Sequence, residues 1–310
     1  MPPVAKTMTH SRPAQPSRKP TLNPGRMLAW LVLLAILGFT LLPLWVVLKT
    51  ALTHPEQLFS QSTHWLPSEP TLANFQKVLG WVSTEEALAL GGSGAEIDVV
   101  RALGNSLLFT AITVTMQTGC AAMAAYAFAR LRFPGRHLLF GFFVASMMVP
   151  GVVTLIPNFI LIRDLGWLNT MAGMVAPFCL MQGFSVFFLR QFFLSVPRDL
   201  EEAALLEGAS HFGIFWRVVL PLSITPLATI ATLTGINMWN EFFWPYLVGR
   251  DELQQVLPVA LQAFKSQTPQ GQPDWTGLMA ATSLTVLPTV LLLLAFGRQV
   301  VESVQFSGGK

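Results

Sequence analysis

Charge is what this sequence has least of. Of its 310 residues only 11% are Asp, Glu, Lys or Arg, against 52% hydrophobic, and the mean hydropathy is +0.54. A soluble domain carries about a quarter charged residues, so a freely soluble globular protein is excluded. Cysteine is nearly as scarce. Cys120 and Cys179 are too few for a disulfide framework and lack CxxC spacing, so they say nothing of redox compartment. The five histidines, His10, His54, His64, His137 and His211, are scattered and form no HExxH or Cys/His ligand set. A phosphate-cradling GxxxxGKS or GxxxxGKT stretch is missing, and no hydrolase triad suggests itself. The expectation is therefore no catalytic residue, no metal site and no cofactor on this chain.

What is present is apolar length. A membrane span needs about 20 predominantly apolar residues. Six runs meet that: Met27–Leu48, Ala102–Ala129, Leu138–Ile162, Met171–Phe193, Leu220–Val248 and Leu278–Phe296. The fold class expected is all-α, a polytopic protein with six transmembrane helices. An even number puts both termini on one side. If that side is cytoplasmic, only Lys49, Lys77, Arg101, Arg163, Arg250 and Lys265 of the nineteen Lys and Arg fall outside, leaving thirteen inside. Positive charge marks the cytoplasmic side, so both ends are expected there. The net charge of +3 then reflects topology and implies no nucleic-acid partner.

The chain divides accordingly. Residues 1–26, rich in Pro, Ser, Thr and Arg, read as a disordered cytoplasmic tail. Residues 27–48 read as an uncleaved first helix, and 49–101 as an external segment. Within it HWLPSEPTLANF carries the turn residues of a surface loop, Thr84–Leu90 suits a short helix, and GGSG at 91–94 is flexible. Residues 102–300 hold a five-helix core, and 301–310 a cytoplasmic tail. Ala121, Ala122, Ala124 and Ala125 would let a neighbouring helix approach closely. Phe133-Pro134-Gly135 reads as a tight turn. Pro150, Pro157, Pro177, Pro226, Pro245 and Pro288 lie within the spans, where freed carbonyls need neighbours or a wet cavity, which favours a transport pathway over a passive anchor.

The segment Pro197–Pro221 organises the rest: PRDLEEAALLEGASHFGIFWRVVLP. Pro197 suits a first helical position, and Asp199, Glu201 and Glu202 complement the positive end of the helix dipole. Gly208 is the expected terminator, and Ser210 caps a second short helix. Two short helices around a glycine elbow, at a membrane surface, form a docking element.

Polar residues within the spans are the other candidates. Glu241 is the one span carboxylate. Twenty positions beyond Pro221, it lies about 30 Å up a helix, near the outer interface, with Trp239, Trp244 and Tyr246 as an aromatic belt. Asn237 and Asn240 flank it, and Gln117, Asn158 and Gln182 are the deeper amides; helix-to-helix hydrogen bonding and contact with the hydroxyls of a solute are both open to them. Met238, Met147 and Met148 read as packing residues.

Glu202-Ala203-Ala204, three residues, Gly208, nine residues and Val218-Val219-Leu220-Pro221 resemble the EAA loop of ABC-importer permeases, with Val218 in place of the usual isoleucine. WNEFFWP at 239–245 and the AAYAFARLRFPGR stretch ending at Arg136 resemble the carbohydrate-uptake branch, in particular its second permease. The resemblance implies a type I ABC-importer permease fold, with Glu202, Ala203, Ala204, Gly208, Leu220 and Pro221 coupling to a cytoplasmic ATPase. It also implies a heterodimer with a second permease, two ATPase subunits that hold ATP and Mg, and an extracytoplasmic solute-binding protein. The site would be the inner or plasma membrane, and the mechanism alternating access. The substrate implied is a mono- or oligosaccharide, with polyols or glycerol phosphate as alternatives. Similar permeases are shorter near 80–98, so an insertion is expected there. Their loop between the last two spans, 249–275 here, reaches into the binding protein, and their Gly-rich ends, Ser307–Lys310 here, touch the ATPase. The competing class, a self-contained carrier or channel, predicts a midplane charge relay or an internal repeat. Neither is apparent.

Overall fold

The longest element is a helix of 32 residues, α4, and most of the chain is arranged along it. The computed structural model describes residues 24–60, 64–89, 97–266 and 273–306, and among these every regular element is helical. Expectations for the N-terminal tail to residue 23, the 91–94 glycines and Ser307–Lys310 lie outside the described residues. By its contacts the chain divides into Met1–Val46 and Val47–Lys310. The first unit is described from Pro24, where α1 (Pro24–Ala51) begins; its run of Leu, Val, Ile, Phe and Trp is apolar on every side, as suits a helix surrounded by lipid.

In the second unit, α2 (Ala73–Val78) and α3 (Thr84–Ala89) lead to α4 (Val99–Arg130), which starts on an Asp98 cap accepting from the Arg101 N–H at 2.9 Å. Then follow α5 (Arg136–Ser146), α6 (Gly151–Asp164), α7 (Met171–Val175), α8 (Gly183–Ser195), α9 (Arg198–Leu206), α10 (His211–Ile214), α11 (Leu220–Leu222), α12 (Ile224–Trp239), α13 (Phe243–Val248), α14 (Leu257–Ala260), α15 (Ala263–Ser266) and α16 (Trp275–Phe306).

Among the described residues α1, α4 and the stretch Trp275–Arg298 of α16 are each long and apolar enough to cross a membrane. The other three expected spans are bent or broken, at their prolines. The third folds by 99° between α5 and α6: Pro150 forces Val149 out of helical geometry, and Gly151 starts anew. This leaves Met148 84% exposed, so it is not the packing residue the sequence suggested, whereas Met147 is 46% exposed and lies against Gly183 of the next span. The fourth is interrupted over 176–182, around Pro177. There α8 approaches α5 so closely that a Cβ on Gly183 would sit 2.5 Å from the Phe143 carbonyl. The fifth starts at Ile224, not Leu220, because Pro226 cannot donate to Leu222 and crowds its carbonyl; the helix from His211 to Leu222 meets α12 at 80°.

Three cores follow α4. At its C-terminal end Ala121, Ala122 and Ala125 are buried against Val186, Leu189 and Phe193 of α8, Ile214, Phe215 and Val219, and Ile230 of α12. The close approach expected of those alanines is realised there. In the middle, Phe109 packs with Met174, Trp244 and Val248. At the N-terminal end Val99 and Ala102 meet Ala51, Val78, Trp239, Leu257, Phe264 and Leu278. That cap corrects one reading. Ala73-Asn74-Phe75, read as loop, opens α2, whose Phe75 and Val78 share an apolar face while buried Asn74 donates to the Ala51 and Thr53 carbonyls at 2.9 and 2.8 Å. Of the segment from Val256 to Phe264, Leu257, Ala260, Leu261 and Phe264 pack into the cap and Val256 and Val259 into the middle core.

Candidate functional site

The elbow forms as its residues dictate. Pro197 is the N-cap of α9, one position before its expected place. Gly208 adopts φ +84, a left-handed conformation that only glycine takes without cost, and so ends α9 and turns the chain. Ser210 Oγ accepts from the Gly213 N–H at 3.2 Å and starts α10. One turn of π-helix, Phe215–Val219, joins α10 to α11 and ends at Leu220 and Pro221. Such turns are rare, and they tend to mark functional sites.

The two faces of α9 differ sharply. Glu202 and Ala203 are exposed and Ala204 half-buried, so the EAA triplet lies open. Around it Leu206 is 91% exposed, and Leu205, Phe212 and Trp216 are exposed too. Opposite, Glu201 is buried. Its Oε1 lies 2.7 Å from Arg130 Nε at the end of α4, with both side chains largely out of solvent. Arg130 also donates through one terminal nitrogen to the carbonyls of Phe193 and Val196, each at 2.6 Å, where α8 ends. One guanidinium therefore fastens α4, α8 and α9 together. Sequence reasoning missed this pair: it gave Glu201 to the helix dipole and counted Arg130 as a topological charge. The available signal was spacing, since Glu201 shares a helix face with Ala204 while Glu202 points elsewhere.

The intramembrane candidates separate. Gln117, 6% exposed, donates from Nε2 to Oε1 of Gln182 at 3.1 Å, so those two amides join α4 to the start of α8. Gln117 Oε1 remains buried without a partner among the described residues. Asn158 is half-buried on α6, and Asn237 is exposed on α12. Asn240, exposed, donates to the Ile236 carbonyl at 2.7 Å. Glu241 lies past the end of α12, and its Oε1 accepts from the Trp244 N–H at 3.1 Å. It caps the first turn of α13, a structural use.

A second buried ion pair stands at the other end of α4. Lys77 Nζ of α2 lies 3.4 Å from Asp274 Oδ2, with side chains 4% and 3% exposed. Asp274 Oδ1 accepts from Thr276 Oγ1 at 3.0 Å and the Gly277 N–H at 2.8 Å, capping α16. Burial pushes the Lys77 ammonium below the ordinary lysine range, and Asp274 opposes that shift. Among the described residues no cluster of His, Cys, Asp or Glu is suited to hold a metal ion.

Residues 117–305 match the family model described as binding-protein-dependent transport system inner membrane component. The arabinooligosaccharides transport system permease protein AraQ of Halalkalibacterium halodurans is 32% identical over 207 residues, 67% of this chain and 73% of that protein. The sn-glycerol-3-phosphate transport system permease protein UgpE of Salmonella typhi is 32% identical over 271 residues, 86% of this chain and 92% of its own length. Among solved structures, a chain of a bacterial ABC transporter involved in the import of the acidic polysaccharide alginate superposes with a TM-score of 0.71 at 22% identity, over 90% of this chain and 99% of that one. That likeness is one of fold.

Proposed function

The chain belongs to the family of binding-protein-dependent transport system inner membrane components, and from that premise we propose that it is a non-catalytic permease subunit of a carbohydrate importer. ATP is bound and hydrolysed by a partner, a pair of ATPase subunits. A second permease completes the pathway, and an extracytoplasmic binding protein delivers a mono- or oligosaccharide. Both termini and the elbow face the cytoplasm, in keeping with the distribution of Lys and Arg.

The observation that carries the reading is the elbow's geometry. Glu202 and Ala203 stand exposed beside uncovered Leu206, Phe212 and Trp216, on a short helix whose opposite face is anchored by Glu201 to Arg130. Exposed apolar side chains with small neighbours suit a protein cleft, and Glu202 suits a basic partner residue. Ala203 and Ala204 permit close approach, Gly208 holds the turn, and Leu220 with Pro221 closes the loop. When the ATPase pair closes on ATP, its clefts draw the elbows together, and the anchored helices follow in alternating access.

The test is co-purification in mild detergent of the intact chain, Gly208→Pro and Glu202→Lys, each assayed for bound ATPase subunit and for ATP turnover stimulated by binding protein. The intact chain retains the ATPase, and both variants lose it or lose stimulation. A chain that purifies alone and moves solute in vesicles without ATP overturns the proposal in favour of a self-contained carrier.

A further inference from the structure

A cleft of about 470 Å³ opens beside the end of α12, with Asn240, Phe242, Gln262, Thr282, Thr285 and Thr289 among its lining. A neighbouring cleft of about 360 Å³ shares Gln262 and carries Tyr246, Arg250 and Gln255. The rings of Phe242 and Tyr246, one from each, are stacked with centroids 5.3 Å apart and planes 22° from parallel. Pockets of about 300–1,000 Å³ are the usual size for small organic ligands.

The chemistry of the lining is selective. Thr282, Thr285 and Thr289 recur at three and four positions, so they share one face of α16. Thr282 and Thr285 donate their hydroxyl protons to the Leu278 and Ala281 carbonyls at 2.7 and 2.9 Å, which leaves oxygen lone pairs free to accept. Asn240 likewise spends an N–H on Ile236 and keeps its amide oxygen. Thr289 Oγ1 is buried and has no partner among the described residues, so Thr282 and Thr285 are the hydroxyls that face a ligand. A row of acceptors beside an aromatic ring fits a ligand rich in hydroxyl donors with a C–H face to lay on that ring. Among the described residues the first cleft has no Asp, Glu, Lys or Arg in its lining, and Arg250 enters only the second. An anionic ligand would find no counter-charge among the described residues of the threonine row. Thr282 and Thr289 are about 10 Å apart along the helix, longer than one sugar ring.

We propose that the two clefts form a continuous track for a neutral oligosaccharide, one unit on the threonine row against Phe242 and the next beside Tyr246 and Arg250. The proposal rests on the importer reading and narrows its substrate class. It is tested in proteoliposomes holding the whole complex with its binding protein, supplied in turn with labelled maltotriose, cellotriose, xylotriose, arabinotriose and sn-glycerol 3-phosphate. Neutral trisaccharide uptake is expected. Thr282→Val and Thr285→Val each raise the KM for uptake about fivefold, the worth of one hydrogen bond, and Phe242→Leu raises it about tenfold through the lost ring face. All three complexes retain the ATPase subunit on purification, which separates a lost sugar contact from lost assembly. Saccharide uptake with the three KM values within twofold of the intact complex overturns the track. Uptake of sn-glycerol 3-phosphate alone, or of no panel member, overturns the substrate class; if binding protein still stimulates ATP turnover in that case, the importer reading stands. Loss of that stimulation in the intact complex is what removes the importer reading itself.

Discussion

Each end of α4 holds one buried ion pair, and the two are built differently. At the C-terminal end the partner is arginine. Its planar group meets Glu201 at 2.7 Å and two carbonyls at the end of α8, Phe193 and the capping Val196, at 2.6 Å, so three helices share one set of directed contacts. At the N-terminal end it is lysine, a point charge 3.4 Å from an aspartate whose other oxygen already caps α16. The first arrangement constrains relative orientation; the second mainly settles charge within a packed cap. The contrast suggests that α9 moves with α4 as one body, while the cap is held chiefly by its apolar contacts.

The comparison is broken hardest at Arg130. Arg130→Met strands Glu201 in the interior and orphans the Phe193 and Val196 carbonyls, a loss of about 3–5 kcal/mol in stability. Thermal unfolding of the detergent-purified chain measures it. The double variant Arg130→Met with Glu201→Met recovers most of that stability, since an apolar pair is tolerated where an ion pair was, yet binding-protein-stimulated ATP turnover remains low. Full coupling in the double variant would show that the pair contributes stability alone.

At the other end Asp274→Ala removes both counter-ion and cap, whereas Asp274→Asn keeps an oxygen for the Gly277 N–H. The alanine variant should lose about 3 kcal/mol and the asparagine variant visibly less, with ATP coupling intact in both complexes that still fold. Equal losses would mean the cap is the minor part of that aspartate's role.

The smallest effect is on pH. The folded pKa of Lys77 is lowered, so the folded chain binds fewer protons than the unfolded chain between that value and the ordinary lysine value of about 10.4. Stability should therefore rise with pH across this window and fall away as pH drops through the folded value. Melting midpoints between mildly and strongly alkaline buffer measure the rise, and Lys77→Met should abolish it.

Much of this was legible from residue order. Apolar length located the helices, and Gly208 and Ser210 gave the elbow because each acts on its own few residues. The bends at Pro150 and Pro226 were foreshadowed by proline, but not their angles, which depend on what the freed helix ends pack against. The cap was hidden for another reason. Val78, Trp239, Leu257 and Leu278 come from segments far apart in the chain, and no local period announces that they share a core. The same holds for Arg130 with Glu201 and for the clefts, where Phe242, Gln262 and Thr285 meet only after folding.

One detail of α4 reaches further. Near its start Asn105 donates to the Leu253 and Gln255 carbonyls, each at 3.0 Å, and Ser106 accepts from the Leu257 N–H at 2.8 Å. The segment they grip leads into Pro258 and Gln262, which line the larger cleft. A rod of 32 residues is about 48 Å long, so pivoting it one degree about the Arg130 end displaces the far tip by about 0.8 Å. Leverage of that ratio converts an angular change too slight to disturb side-chain packing at the elbow into a movement comparable with a hydrogen bond's tolerance at the cleft wall.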